Sequence, residues 1–270
     1  HHFGGALGYK SVDQFDAVGD GAVPIADTFA GPLGGIDKMF LLSSLPFLVD
    51  SIDEARTLWE ISKPHYEEIF AENNQVLLYA SPWPPSGIWS NEPVTSVEDI
   101  QNLKIRTYDA NGTIALRAAG AAPIQLSWSD VVPQLNTGGI SAVLTSAEGG
   151  AATNFWEYLD HFSEVNYASP LNMIHMNKDV FDSLSEANQK AVMEAAQETS
   201  EHQWQLVRER RKKNYATMRD NGMTVHVDDV SDELIEHFTK AGQKAHDRWL
   251  NSVGEPGREI LETFEERTGS

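Results

Sequence analysis

Between residues 103 and 150 the chain repeats one rhythm, a short apolar run followed by a capped helix, and few folds accommodate it. Leu103-Lys104-Ile105-Arg106 alternates apolar and basic residues and predicts a strand with an arginine at its C-terminal end. A helix over residues 113–119 follows, capped by Asp109 or Asn111 and stopped by Gly120. Next come a strand over 123–126, a helix entered through Ser127-x-x-Asp130 and a stop at Thr137-Gly138-Gly139. A strand over 140–145 then runs through Ser146 into another helix. The order β-α-β-α-β-α predicts a parallel α/β unit.

Ligands of open α/β sheets sit beyond the carboxyl ends of the strands, where helix N-termini also point. Arg106 at one such end and Thr145 with Ser146 at another therefore face one crevice. A guanidinium presents a planar fork of donors that fits a carboxylate, and helix N–H groups add partial positive charge. The pattern describes an anion site; the alternative is that Arg106 is an ion-pair residue on the surface or between lobes.

Charge makes that arginine more telling. The chain has 40 acidic and 20 basic residues, a formal net charge of −20, so a nucleic-acid partner is excluded for want of a basic surface. A small anion must then be caught by a local positive focus. Basic residues cluster at 208–213, read as the solvated face of a helix. Cysteine is absent, which excludes disulfides and thiolate metal sites. No run reaches the roughly 18 apolar residues of a membrane helix, and no signal peptide is visible. Metalloprotease, nucleophile-elbow, P-loop and EF-hand patterns are all missing, and the scattered histidines, His161 and His175 among them, read as structural. No metal and no cofactor is expected.

Elsewhere, helical spacing covers residues 12–18, a strand 22–29, and an apolar turn 41–48. Ser51 caps a helix from Ile52 to about Glu72, and residues 76–80 form a buried strand. It leads into the stiff, proline-rich stretch 81–87, a natural crossing between lobes and a hinge. The helix after Ser146 is read as continuing through residues 154–162. Residues 167–176 read as a strand whose proline favours an edge or irregular position. Ser185 opens a helical pattern that runs to Asn221-Gly222, which at about 1.5 Å per residue exceeds 50 Å. A strand at 225–227 and a helix capped by Ser231 follow. Trp83, Trp89 and Trp128 fall beside the crevice, whereas Trp59, Trp156, Trp204 and Trp249 lie in helical patterns and read as core.

The motifs, taken in order, resemble those of the extracytoplasmic, DctP-like substrate-binding proteins of tripartite ATP-independent periplasmic (TRAP) transporters. They are Lys104-Ile105-Arg106, Gly120-Ala121-Ala122-Pro123, Trp128-Ser129-Asp130-Val131 and Leu135-Asn136-Thr137-Gly138. Upstream stand Phe3-Gly4-Gly5-Ala6-Leu7-Gly8 and Leu45-Pro46-Phe47-Leu48; downstream stand Phe155-Trp156-Glu157-Tyr158 and Met176-Asn177-Lys178. The resemblance spans nearly the whole chain. It implies a periplasmic-binding-protein-like α/β fold of two lobes with a long helix across both, and it makes Arg106 the carboxylate-binding arginine. Members open with a strand, a helix and a strand ahead of the Phe3 pattern, which this sequence does not show and which the full protein is expected to carry. Thr145 and Ser146 replace the acidic-amide pair of the family, and Gly87-Ile88-Trp89 stands where many members carry a second arginine.

The resulting expectation is a monomeric periplasmic receptor that closes on a small organic anion and delivers it to TRAP membrane subunits. Lobe I comprises residues 1–85 and about 172–212, lobe II residues 86–171 and about 213–250, and residues 251–270 form a C-terminal helical extension. One cation and several aromatics point to a flat aromatic monocarboxylate bound by Arg106, Thr145, Ser146, Trp83, Trp128, Phe29 and Tyr167, with Glu148 capping a helix or accepting from a ligand hydroxyl. The alternative is a cleft enzyme, a hydrolase or lyase of an organic acid.

Overall fold

Hydroxyl caps set several helix starts in the computed structural model, which describes residues 8–269. The motif residues Phe3, Gly4, Gly5, Ala6 and Leu7, like His1 and His2, lie outside the described residues. The strands are β1 (Ile25–Phe29), β2 (Gln75–Pro82), β3 (Ser86–Ser90), β4 (Lys104–Thr107), β5 (Ala122–Gln125), β6 (Ala142–Ser146), β7 (His161–Ser163), β8 (Leu171–Asn177) and β9 (Thr224–His226). The helices are α1 (Gln14–Gly19), α2 (Ile52–Glu72), α3 (Ala110–Ala118), α4 (Trp128–Asn136), α5 (Ala147–Ala152), α6 (Lys178–Asp182), α7 (Glu186–Asp220), α8 (Asp232–Val253) and α9 (Glu255–Thr268). Ser51, Ser185 and Ser231 hold extended backbone ahead of α2, α7 and α8, and each accepts from the N–H three residues on. Asp109 does the same for α3. Ser127 differs: no side-chain cap bond forms ahead of α4, and Asp130 turns outward to Lys10 at 3.6 Å.

Two sheets result. One, ordered β1-β8-β2, is antiparallel throughout. The other is ordered β5-β4-β6-β3-β7-β9, with β5, β4 and β6 parallel as their helical crossovers require, and β3 antiparallel to β6 and β7. The strand β8 is central, which corrects its expected edge position: Pro170 lies just outside it, so no ladder N–H is lost. The helix after Ser146 is also shorter than expected. It ends at Ala152, Asn154 adopts the left-handed conformation (φ 53°), and a turn at Phe155–Glu157 buries Phe155 before β7.

The chain passes between sheets at residues 83–85 and again at 164–170. The proline-rich crossing is shorter than expected because β2 extends to Pro82 and β3 begins at Ser86. The two crossings run side by side, joined by Trp83 N to Pro170 O (3.0 Å), Ser86 N to Ala168 O (2.8 Å) and Tyr167 N to Ser86 O (2.9 Å). The 35-residue α7 reaches along both lobes, burying Trp204 and Val207 in a core with Phe40, Tyr66 and Phe70, and Met218 in one with Trp89, Phe155 and Phe162. Helix α8 bridges as well, with Leu234 and Phe238 in the core around Ile105 and Leu144, and Trp249 in the first core. The C-terminal helical stretch packs on the first core. Ile260 and Phe264 of α9 are buried against α2 in the first core. His175 is buried and bonded to Thr28 Oγ1 at 2.8 Å, and His161 Nδ1 meets His226 Nε2 at 3.0 Å.

Candidate functional site

The carboxyl ends of β4, β5 and β6 open onto a cleft of about 600 Å³ whose opposite wall comes from β1, the crossings and the segment before α1. Arg106 is among the residues that line it. It is 4% exposed, its Nε donates to Leu126 O at 3.1 Å and its Nη1 to Leu144 O at 3.3 Å. The Trp128 and Tyr108 rings flank the guanidinium at 5.3 and 5.8 Å. Burial lowers its pKa to about 10, countered in part by Tyr108 and Asp109, so it stays cationic. None of the ion pairs among the described residues includes it. A buried cation held by carbonyls and ring faces, with no carboxylate paired to it among the described residues, is suited to receive an anion.

Thr145 and Ser146 line the cleft with Arg106. Ser146 Oγ is engaged as the cap of α5, accepting from Gly149 N at 3.1 Å. Because α5 has only six residues, its N-terminus adds little charge. Gly149 lies so close under the cleft that a Cβ there would stand 2.8 Å from Thr145 Oγ1, which is why the position takes no side chain. Trp83, Trp128 and Phe29 also line the cleft. Trp83 is fixed by Nε1 donating to Asn172 Oδ1 at 2.7 Å, and Asn172 Nδ2 donates to Asp27 Oδ1 at 2.7 Å.

Three residues read at or beside the crevice do not line the cleft. Tyr167 is 2% exposed behind the wall, its ring edge-on to Phe47, and burial drives its phenol pKa well up. Trp89 is fully buried beneath α5, donating to Ser146 O at 3.2 Å. Glu148 points away from the cleft to Arg210, 3.3 Å distant. The basic run 208–213 is largely solvated as expected, and it also carries ion pairs: Arg208 with Asp53 at 2.6 Å and Arg211 with Glu164 at 3.5 Å. Conversely, Tyr108, Asp27, Gln125 and Asn172 line the cleft and were not singled out from the sequence. Strand period would have found two of them, since Tyr108 is two residues from Arg106 and Asp27 two from Phe29.

The lobes touch near the cleft. Asp109 of α3 is fully buried and accepts from Ser44 Oγ, while Asn111 Nδ2 donates to Leu41 O at 2.9 Å. Phe29 and Tyr108 meet edge-on at 5.2 Å.

Comparison with known proteins places this geometry. A sequence model of the bacterial extracellular solute-binding proteins, family 7 (DctP), matches residues 4–252. The ectoine-binding periplasmic protein TeaA of Halomonas elongata is 24% identical over 96% of this chain and 77% of its own length. A marine metagenome TRAP solute-binding protein, solved with co-purified pyroglutamate, superimposes with a TM-score of 0.90 at 29% identity, covering 97% of this chain and 86% of that one. A Bordetella pertussis extracytoplasmic solute receptor binding pyroglutamic acid gives 0.89 at 27% identity, covering 94% and 83%.

Proposed function

Because the chain belongs to the bacterial extracellular solute-binding proteins of family 7, we propose that it captures a small ring-bearing monocarboxylate in the interlobe cleft and hands it to TRAP membrane subunits. It is a periplasmic transport protein and not an enzyme. The observation that carries the ligand class is Arg106, a single buried guanidinium bonded to two carbonyls and flanked by Trp128 and Tyr108. One such group neutralises one carboxylate, and burying a second without a partner would cost several kcal/mol. The flanking rings favour a flat body over a polyhydroxylated one.

In this reading the carboxylate lies on Arg106 within reach of Thr145, and the ring lies among Trp128, Trp83 and Phe29. Ser146 holds the wall, and the lobes hinge at residues 83–85 and 164–170 as a monomer. Pyroglutamate is the first candidate, on the strength of the two solved relatives named for it, with benzoate and indole carboxylates next. Thermal shift followed by calorimetry over these acids, ectoine, succinate and glucuronate tests the reading. At about 100 times its Kd a ligand adds roughly 2.7 kcal/mol, a rise of several degrees. A response to succinate or glucuronate with none to any ring monocarboxylate would refute the ligand class.

A further inference from the structure

The charged residues in the middle of α7 stand where the chain crosses between lobes, outside the ligand cleft. Arg210 Nη2 donates to the carbonyl of Pro82, the last residue of β2, at 2.7 Å. Its Nη1 reaches Glu148 Oε1, in the first turn of α5, at 3.3 Å. These side chains are 26% and 25% exposed. Pro82 adjoins Trp83 in one cleft wall, and α5 begins at Ser146 in the opposing one. One residue on, Arg211 pairs with Glu164 at 3.5 Å, where the chain leaves β7 for its return. A single turn of α7 therefore holds the start of both crossings.

We infer that Arg210 and Glu148 form a hinge clamp, a positioning pair that sets the balance between open and closed lobes from outside the ligand pocket. The two crossings are laced to each other by backbone bonds and turn together, so the lacing itself selects no angle. An angle is selected by groups fixed to the two sides. Arg210 has one arm on a carbonyl of the first sheet and the other on a carboxylate carried by the second lobe, and a planar guanidinium spans the two at fixed separation. Rotation that parts Pro82 from α5 must lengthen one of these bonds. Replacement partners are not at hand: Arg210 Nε and Glu148 Oε2 are buried without a hydrogen-bond partner among the described residues. The pair is also largely withdrawn from water, so it is screened less than the exposed pairs along α7.

The inference does not depend on the identity of the ligand, and its test needs none. The chain has no cysteine, so spin labels on Ile36→Cys in the first lobe and Ile124→Cys in the second report the interlobe distance without background. Both positions are exposed, at 42% and 40%. Double electron-electron resonance on ligand-free protein should show the ratio of shorter to longer distances falling about three- to tenfold in Glu148→Gln and in Arg210→Gln. The double variant should fall no further than either single one, and Arg210→Lys should lie between. Thermal melting checks that each variant folds, and Glu148→Gln preserves shape where Arg210→Gln does not. Distance distributions that superimpose on the parent, with or without a lowered melting point, would overturn the clamp. So would losses that multiply in the double variant.

Discussion

A guanidinium that donates to two carbonyls and is 4% exposed keeps its full charge for whatever enters the cleft. Charge-assisted hydrogen bonds contribute about 1.5–3 kcal/mol each, so Arg106→Ala should weaken carboxylate binding at least roughly a hundredfold, and Arg106→Lys should recover little because a point charge does not reproduce the fork. Calorimetry placing either variant within about threefold of the parent would remove Arg106 from the site. Close by, Asp109 has its carboxyl pKa pushed from 3.8 to about 6, by burial first and against the bonds from Gly112 N and Ser44 and the field of Arg106. A folded-state pKa raised in this way adds stability that is complete below the unfolded value and is lost as pH rises through the folded one. Relative to Asp109→Asn, which keeps a capping side chain, the parent should therefore gain about 2 kcal/mol between pH 7.5 and pH 4.5 in urea unfolding. A pH-independent difference would mean that Asp109 is charged throughout. At this scale the sequence was informative where chemistry is unusual, as at Arg106 in a strongly acidic chain. Tyr167 was read toward the ligand because nothing local says whether a strand-end ring faces the cleft or the core; of the two readings of Glu148, its place in the first turn of α5 fits helix support, and nothing local says that Arg210, 62 residues on, pairs with it.

Elements were legible where a cap announces them. Ser51 and Ser231, expected to cap, each accept from the N–H three residues on, as does Ser185 where the long helical pattern opens, and α2 and α7 begin where they were expected to begin. Ser127 carries the same signature and makes no cap bond. Ser231→Ala should thus cost about 1 kcal/mol in denaturant unfolding, and Ser127→Ala only a few tenths. Equal losses would show that Ser127 caps α4 in solution. What the sequence did not disclose was non-local. Strand β7 has three residues and is defined by pairing with β3 and β9, and the left-handed Asn154 that ends α5 is explained by the burial of Phe155. The last helix is the clearest case: the domain division set residues 251–270 apart as a C-terminal helical extension, and it did not disclose that Phe264 is 2% exposed in the first core. Phe264→Ala should cost about 3–5 kcal/mol, as for any buried aromatic, and a loss under about 1 kcal/mol in unfolding would return α9 to the status of an extension.

At the scale of the whole molecule, two sheets joined by laced crossings and bridged by two helices form a clamp whose jaws meet around the cleft. The long helix was legible in its unbroken pattern after Ser185, whereas the two-lobe layout came with the family resemblance; at roughly 1.5 Å per residue a 35-residue helix is long enough to reach along both lobes. The contacts between the jaws include buried ones, Asn111 Nδ2 to Leu41 O at 2.9 Å and Phe29 edge-on to Tyr108 at 5.2 Å, beside polar ones of unequal worth. Lys10 and Asp130 are 54% and 48% exposed at 3.6 Å, a pair of little worth that fades with salt, and Ser44 with Asp109 forms a single buried bond. A ligand that bonds Arg106 on one side while touching Trp83 and Phe29 on the other favours the closed form by its differential affinity. Small-angle scattering should therefore give a smaller radius of gyration with saturating pyroglutamate than without it, and Arg106→Ala at the same concentration should keep the larger value. Compaction of both proteins alike would point to closure without the arginine. An unchanged radius for a parent protein shown by calorimetry to be loaded would mean that the jaws are already shut before the ligand arrives, and entry would then have to proceed through rare openings, visible as an association rate far below the roughly 10⁵–10⁷ M⁻¹s⁻¹ of unhindered docking.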